Sequence, residues 1–248
     1  YMIRKAREGM VASGPAPEGL KGATYRAVTI GSPMGIKLPA FRKKVEIAEQ
    51  ETGITIPFDQ TGADYLLLMS SAEIVEFSEF IGAMARIFKQ ANVSWTFSSD
   101  AFEATNSGIQ IGASDIAAEL VQRIVDAAEK LQVKYVISPE CGHAYTALRW
   151  EGPNLIGKPY KFKVIHILEL LDQLYQEGRL QLEGKDSEKL TFHNPCQIVR
   201  RGGVLEEPRK LLNLVADDFV DMPCSGKCNW SCGGGGGSTC RTSTRRWR

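Results

Sequence analysis

The stretch Lys189-Leu190-Thr191-Phe192-His193-Asn194-Pro195-Cys196 is a short strand-forming run that leads directly into a polar turn ending in a cysteine. Further along, Cys232 follows Ser231 and precedes a run of glycines, residues 233–237. A thiolate on one turn and another beside a glycine-rich turn suit an iron–sulfur cluster, because cluster sulfides need soft ligands and nearby N–H donors. Pro195 restricts the first turn, and glycine lets backbone amides approach bridging sulfides. We therefore predict that the rest of the chain is a scaffold for this pair of turns.

The composition excludes several classes of protein. The chain has 248 residues and 43% hydrophobic content, enough for one large domain or two ordinary ones. Thirty basic and 29 acidic residues leave a net charge of +1, so nucleic acid is not a predicted partner. The chain contains no complete phosphate-loop or dinucleotide fingerprint, so a nucleotide is not predicted either. Its six unevenly spaced cysteines favour reduced, metal-binding thiols in the cytoplasm over a disulfide framework.

Strand-like and helix-like runs alternate along the chain beyond residue 23. Strands are predicted over residues 25–30, 54–58, 65–69, 93–98, 134–138, 189–192 and 219–222, and helices over 39–50, 74–91, 114–131, 164–176 and 206–215. This alternation is typical of an α/β fold in which crossover helices connect parallel strands. Residues 1–23 carry glycine, proline and charge without apolar periodicity, which indicates a linker.

Three polar clusters follow predicted strands, where ligands of parallel sheets bind. The first runs from Ser98 to Gly108 and includes Glu103 and Asn106. The second is Glu140-Cys141-Gly142-His143, and the third is His193-Asn194-Pro195-Cys196. We expect Glu103 and Asn106 to be solvated residues at the start of a helix. His193 is expected to lie beside the turn without binding metal, and His166 is expected to be structural.

The order of these motifs resembles the cysteine-rich CCG domain of heterodisulfide reductase-like iron–sulfur proteins. The resemblance rests on His193-Asn194-Pro195-Cys196, Arg200, Gly202-Gly203, Glu207-Pro208-Arg209, Asn229-Trp230-Ser231-Cys232-Gly233, Trp95-Thr96, Glu103-Ala104-Thr105-Asn106-Ser107-Gly108 and Glu140-Cys141-Gly142-His143-Ala144-Tyr145. It implies two tandem Rossmann-like CCG-type domains with parallel sheets, the second incomplete. Residues 24–185 would form a degenerate first domain, 186–237 a partial second domain, and 1–23 a linker from a missing ferredoxin-like part.

The resemblance also implies a cofactor and its ligands. Members of the family hold a noncubane 4Fe–4S cluster, for which Cys196 and Cys232 would be ligands beside Gly233 and Gly234. Cys141 would be a thiol near the substrate sulfur or an extra ligand, and His143 a proton donor. The alternative for Cys141 and His143 is a packing pair at a domain interface.

Within the family, the chain is most similar to catalytic subunits of membrane complexes linked to dissimilatory sulfite reduction. Such a subunit takes electrons from a cytochrome b-type, quinol-oxidising membrane partner and reduces a disulfide or trisulfide of a small sulfur-carrier protein. This implies a cytoplasmic protein, peripheral to the inner face of the membrane through its partner subunits. The alternatives are an iron–sulfur subunit that oxidises lactate or glycolate, and a non-catalytic docking module with zinc at Cys196, Cys224, Cys228 and Cys232.

The chain departs from the family pattern near its carboxyl end. Ser231 stands where the pattern has a cysteine, and the later Cys-x-x-Cys pair does not occur before Arg248. Residues 238–248 are polar and basic without periodicity, and we interpret them as an anomalous tail, out of frame or otherwise aberrant. We therefore expect weak or absent cluster loading and no activity from this chain alone.

Overall fold

A parallel sheet of four strands forms the centre of the fold in the computed structural model, which describes residues 2–231. Its strands are β1 (Tyr65–Leu67), β2 (Trp95–Thr96), β3 (Tyr135–Ser138) and β4 (Lys163–His166), in the order β2-β1-β3-β4. Leu66 and Leu67 are both fully buried and belong to different hydrophobic clusters. Successive side chains of a strand point to opposite faces, so this sheet is covered on both sides, as parallel sheets usually are.

Helices cover the two faces of this sheet. They are α1 (Met2–Ala12), α2 (Glu18–Ile30), α3 (Leu38–Thr52), α4 (Ser71–Glu76), α5 (Glu79–Gln90), α6 (Ser107–Ile111), α7 (Ser114–Leu131), α8 (Gly142–Tyr145), α9 (Gly152–Ile156), α10 (Ile167–Gln176) and α11 (Glu207–Val215). One face packs against α3, α5 and α10, and the other packs against α7. Thr146–Glu151 and Gln197–Arg201 are π-helical turns, and Gly226–Cys228 is a 3₁₀ turn.

A second, smaller parallel sheet pairs β5 (Asp186–Leu190) with β6 (Ala216–Phe219), and α11 lies between them in the chain. Most of its residues are exposed, in contrast to the first sheet. The predicted α/β fold with parallel sheets is therefore confirmed. The tandem Rossmann-like arrangement and the domain boundaries stay predictions.

Several local predictions were wrong. Residues 25–30 are part of α2, because Ala23, Thr24 and Ala27 bury one face of a helix there. Residues 54–58 form no strand apart from a bridge between Phe58 and Phe97. The helix predicted over 74–91 is interrupted at Phe77 and Ser78, and residues 163–166 form β4 before α10 begins.

The segment 2–12 is helical, although its sequence carries no sustained apolar periodicity. The role of residues 1–23 as a linker to another domain stays a prediction. Across residues 2–231, no helix combines the length and apolar character needed to cross a membrane.

Candidate functional site

The carboxyl edge of the first sheet carries a buried polar cluster that begins with Ser70. The Ser70 side chain caps α4 by accepting the N–H of Glu73, and the Glu73 carboxylate accepts the N–H of Ser70 at 2.7 Å. This carboxylate also accepts the N–H of Glu140 at 3.2 Å, and Ser70 Oγ donates to Glu140 Oε1 at 2.7 Å. A capping box on α4 therefore holds the loop that follows β3. Ser70 and Glu73 were not among the predicted site residues, although Ser-x-x-Glu before an apolar run is the signature of this box.

Glu103 occupies the adjacent part of the same edge. It pairs with Met69 as a parallel bridge, and its Oε1 accepts Ser71 Oγ at 3.1 Å and the Thr105 N–H at 2.9 Å. Glu103 is only 2% exposed, and Asn106 is equally buried while capping α6. The expectation that these two residues are solvated was therefore wrong. Glu103 is buried because its backbone pairs with Met69 at the edge of the sheet.

Burial disfavours the charged form of both glutamates in this cluster. It raises the pKa of Glu103 to about 7, although hydrogen bonds from Thr105 and Ser71 lower that pKa. Burial likewise raises the pKa of Glu73 to about 7, with the charge of Glu140 adding to the effect. Because both values exceed the ordinary value of 4.5, the folded protein holds protons between pH 4.5 and 7 that the unfolded chain releases. These groups therefore make the fold less stable as pH rises through that window.

Substitution of Glu103 by glutamine is expected to stabilise the protein at pH 8 by roughly 1–3 kcal/mol and to have little effect at pH 4, since glutamine keeps the acceptor without the charge. Urea unfolding at the two pH values measures this difference. The control is Glu119→Gln, which changes an exposed residue of α7. Equal effects of Glu103→Gln at both pH values would contradict the assignment of a costly buried charge.

Cys141 and His143 follow β3 and begin α8. Burial raises the pKa of the Cys141 thiol to about 12, and the charge of Glu140 contributes in the same direction, while the N–H groups of Ala144 and His143 oppose it. Burial lowers the pKa of His143, and the positive charges of Arg7 and Arg201 lower it further. At neutral pH the site therefore presents a protonated thiol and a neutral imidazole.

The turn of Cys141 touches the turn of Cys196. A Cβ on Gly142 would lie 2.5 Å from Cβ of Gln197, so only glycine fits against the residue that follows Cys196. Thr146 Oγ1 lies 3.4 Å from Gln197 Oε1, and Tyr145 packs with Ile198 in a small buried cluster. The structure therefore brings the second and third predicted polar clusters into contact, and Glu103 of the first cluster lies at the same edge of the sheet.

The Cys196 turn is also covered by the segment that precedes Cys232. His193 Nε2 lies 2.9 Å from the Trp230 carbonyl oxygen, and Arg200 Nη2 donates to the Asn229 carbonyl at 2.8 Å. Cys196 is half-buried and lies at the start of the π-helical turn Gln197–Arg201. Cys232, Gly233 and Gly234 lie outside the described residues. Trp230, whose carbonyl contacts this turn, stands two residues before Cys232 in the sequence.

The remaining predicted residues fall in two different environments. Cys224 and Cys228 are exposed free thiols on the loop after β6. Over the described range 2–231, no three His, Cys, Asp or Glu side chains are grouped closely enough to hold a metal ion. His166 is buried, its Nδ1 accepts the Leu168 N–H, and burial lowers its pKa to about 4, which agrees with the expected structural role.

Residues 190–247 match the family described as the CCG cysteine-rich domain. The match includes residues 238–247, which the sequence analysis set apart as an anomalous tail and which lie outside the described residues. Together with the relatives below, it confirms the predicted resemblance to CCG-type proteins related to heterodisulfide reductase. The finer resemblance to the sulfite-linked branch stays a prediction.

Three relatives illustrate this similarity. The chain is 34% identical over 129 residues to the D subunit of the dihydromethanophenazine:CoB–CoM heterodisulfide reductase of Methanosarcina barkeri, covering 52% of the chain and 31% of the relative. It is 27% identical to the EtfAB:quinone oxidoreductase of Syntrophomonas wolfei, and the match covers 73% of the chain and 25% of the relative. It is 25% identical to the Hdr-like menaquinol oxidoreductase iron–sulfur subunit 2 of Archaeoglobus fulgidus, and the match covers 80% of the chain and 43% of the relative.

The chain spans well under half the length of the first three curated relatives: the matches cover 31%, 25% and 39% of them, respectively. No solved structure matches the chain significantly.

Proposed function

We propose that this chain is the CCG-type part of an iron–sulfur oxidoreductase that transfers electrons to a sulfur–sulfur bond. The observation that carries the proposal is the convergence of three segments: the turn of Cys141, the turn of Cys196 and the segment leading to Cys232. Names of relatives that include heterodisulfide reductase and iron–sulfur subunit support the same chemistry.

The residues present fit a cluster with soft ligands. Cys196 offers a half-buried thiol, and the amide Nδ2 of Asn194, buried two residues earlier, has no partner among the described residues. Thiolates bind iron, and nearby N–H donors stabilise cluster sulfurs. Cys196 and Cys232 would hold the group, which by family resemblance is a noncubane 4Fe–4S cluster. Cys224 and Cys228 lie on the same loop as Asn229 and are candidates for additional ligands.

A bound cluster would supply one-electron transfers. Reduction of a disulfide consumes two electrons and two protons and yields two thiols. Cys141 retains its proton at neutral pH, and His143 is a neutral imidazole there, so both can donate hydrogen bonds to a substrate sulfur near the Cys196 turn. The electrons would come from a cytochrome b-type, quinol-oxidising membrane subunit, and the substrate would be a disulfide or trisulfide of a small sulfur-carrier protein.

Anaerobic reconstitution of the full chain with ferrous iron and sulfide tests the proposal. We expect iron and acid-labile sulfide to bind, at less than one full cluster per chain, with a paramagnetic multi-iron signal in electron paramagnetic resonance after reduction. Cys196→Ser is expected to abolish this uptake, because a serine oxygen is a harder ligand than a thiolate.

Cys141→Ser is the matched control, since it alters a thiol of the neighbouring turn that the proposal does not use as a ligand. It should leave iron uptake unchanged. Zinc binding without iron uptake would favour a non-catalytic metal-binding module, and equal loading of Cys196→Ser and the unchanged chain would refute the ligand assignment.

A further inference from the structure

We propose that Asn194 is a positioning residue of the cluster site: it clasps the loop before Cys232 to the turn of Cys196, and its side-chain N–H donates to a sulfur there. The clasp stands on contacts within this chain, whereas the donor role rests on the proposed function.

Asn194 takes part in three hydrogen bonds, two of which join the two segments. Its Oδ1 accepts the backbone N–H of Gly226 at 2.7 Å and Nη2 of Arg209 at 2.8 Å. Its backbone carbonyl accepts Nδ2 of Asn229 at 2.5 Å. Gly226 and Asn229 both lie on the loop that leads to Cys232, so these bonds tie that loop to the turn before Cys196.

Arg209 fixes the orientation of the Asn194 amide. Its guanidinium donates to both carboxylate oxygens of Asp221, at 2.7 and 2.8 Å, and to the Leu205 carbonyl at 3.1 Å. A guanidinium carries hydrogen-bond donors and no acceptor, so the Asn194 atom that faces Arg209 must be an acceptor. Oδ1 must therefore face Arg209 and Gly226, and Nδ2 must face the other way.

Nδ2 of Asn194 is a buried donor that lacks a partner among residues 2–231. Asn194 is 1% exposed, and buried polar groups in native proteins are nearly always hydrogen-bonded. Cys196 lies two residues further along the same turn. Thiolate and sulfide sulfurs accept such N–H groups, and these bonds raise the reduction potential of a cluster. We infer that a sulfur of the site is the partner of Nδ2.

The clasp is tested on the full chain without iron, by hydrogen–deuterium exchange of the peptide covering residues 225–231. Asn194→Ala removes the acceptor of the Gly226 N–H and is expected to speed exchange there by about tenfold. Asn194→Asp keeps Oδ1 and should leave exchange unchanged. Unchanged exchange in Asn194→Ala would overturn the clasp.

The donor role is tested by the reduction potential after reconstitution with iron and sulfide. Asn194→Asp is expected to lower the potential, because it loses the N–H while keeping the loop in place. Adding Asp221→Asn restores the net charge, and the lowered potential should persist in the double variant. Asn213→Asp changes an exposed asparagine of α11 and should leave the potential unaltered.

The outcomes separate the inference from the proposed function. A chain that binds iron and sulfide but shows the same potential with Asn194→Asp overturns the donor role. A potential that returns to the original value in the double variant also overturns it, since charge alone would then explain the shift. A chain that takes up no iron refutes the proposed function and the donor role with it, while the exchange experiment still decides the clasp.

Discussion

Alanine at position 108 is expected to destabilise the protein by about 3 kcal/mol or more, the upper range for an overpacked site. Gly108 lies in α6, and a Cβ there would be 2.4 Å from the backbone nitrogen of Ala117 and 2.7 Å from its Cα. The obstructing atoms belong to the backbone of α7, so no side-chain rotation can relieve the clash. The added methyl group would force α6 away from α7 and disturb the loop that carries Glu103 and Asn106.

Thermal unfolding followed by circular dichroism measures the effect as a lower midpoint. Gly22→Ala is the matched control, because Gly22 is also helical and its Cβ would meet only the end of the Arg26 side chain, at 3.5 Å. That control should stabilise the protein slightly, since alanine favours helix over glycine by roughly 0.5–1 kcal/mol. Equal midpoints for the two variants would show that α6 and α7 are not packed as described.

Alanine at position 142 is expected to separate the turns of Cys141 and Cys196, at a cost of about 1–3 kcal/mol. Its Cβ would lie 2.5 Å from Cβ of Gln197, an atom fixed to the backbone, and 3.4 Å from Ile198 Cγ1. The expected result is a lower unfolding midpoint and faster hydrogen–deuterium exchange over residues 197–204. Iron uptake should also fall, because Cys196 begins the displaced turn.

A second substitution decides whether this contact is the cause. Gln197→Gly removes the obstructing Cβ and should restore exchange over residues 197–204 when combined with Gly142→Ala. Gln197→Ala keeps that Cβ and should restore nothing, although it removes the rest of the side chain. Rescue by both substitutions would locate the clash further along the Gln197 side chain, and rescue by neither would refute the contact between the two turns.

The α/β class was predictable because apolar runs and helical periodicity are local properties. The run at 65–69 contains β1, and the helix predicted over 114–131 is α7. The strand predicted over residues 25–30 was wrong because a short run of β-branched and aromatic residues can form either a strand or a helix. Packing of α2 against α6 and α7 settles the choice, and it involves residues distant in the chain.

The sequence by itself determined the family resemblance and the order of the cysteine, glycine and histidine motifs, since these are covalent facts. It also determined that Cys196 ends a turn after a strand-forming run. Only the tertiary structure decided that Glu103 is buried, that Gly142 touches Gln197, and that Asn194 holds the loop before Cys232. Each of these depends on hydrogen bonds or close packing between residues far apart in sequence, and no local pattern encodes which distant backbone will lie within contact distance.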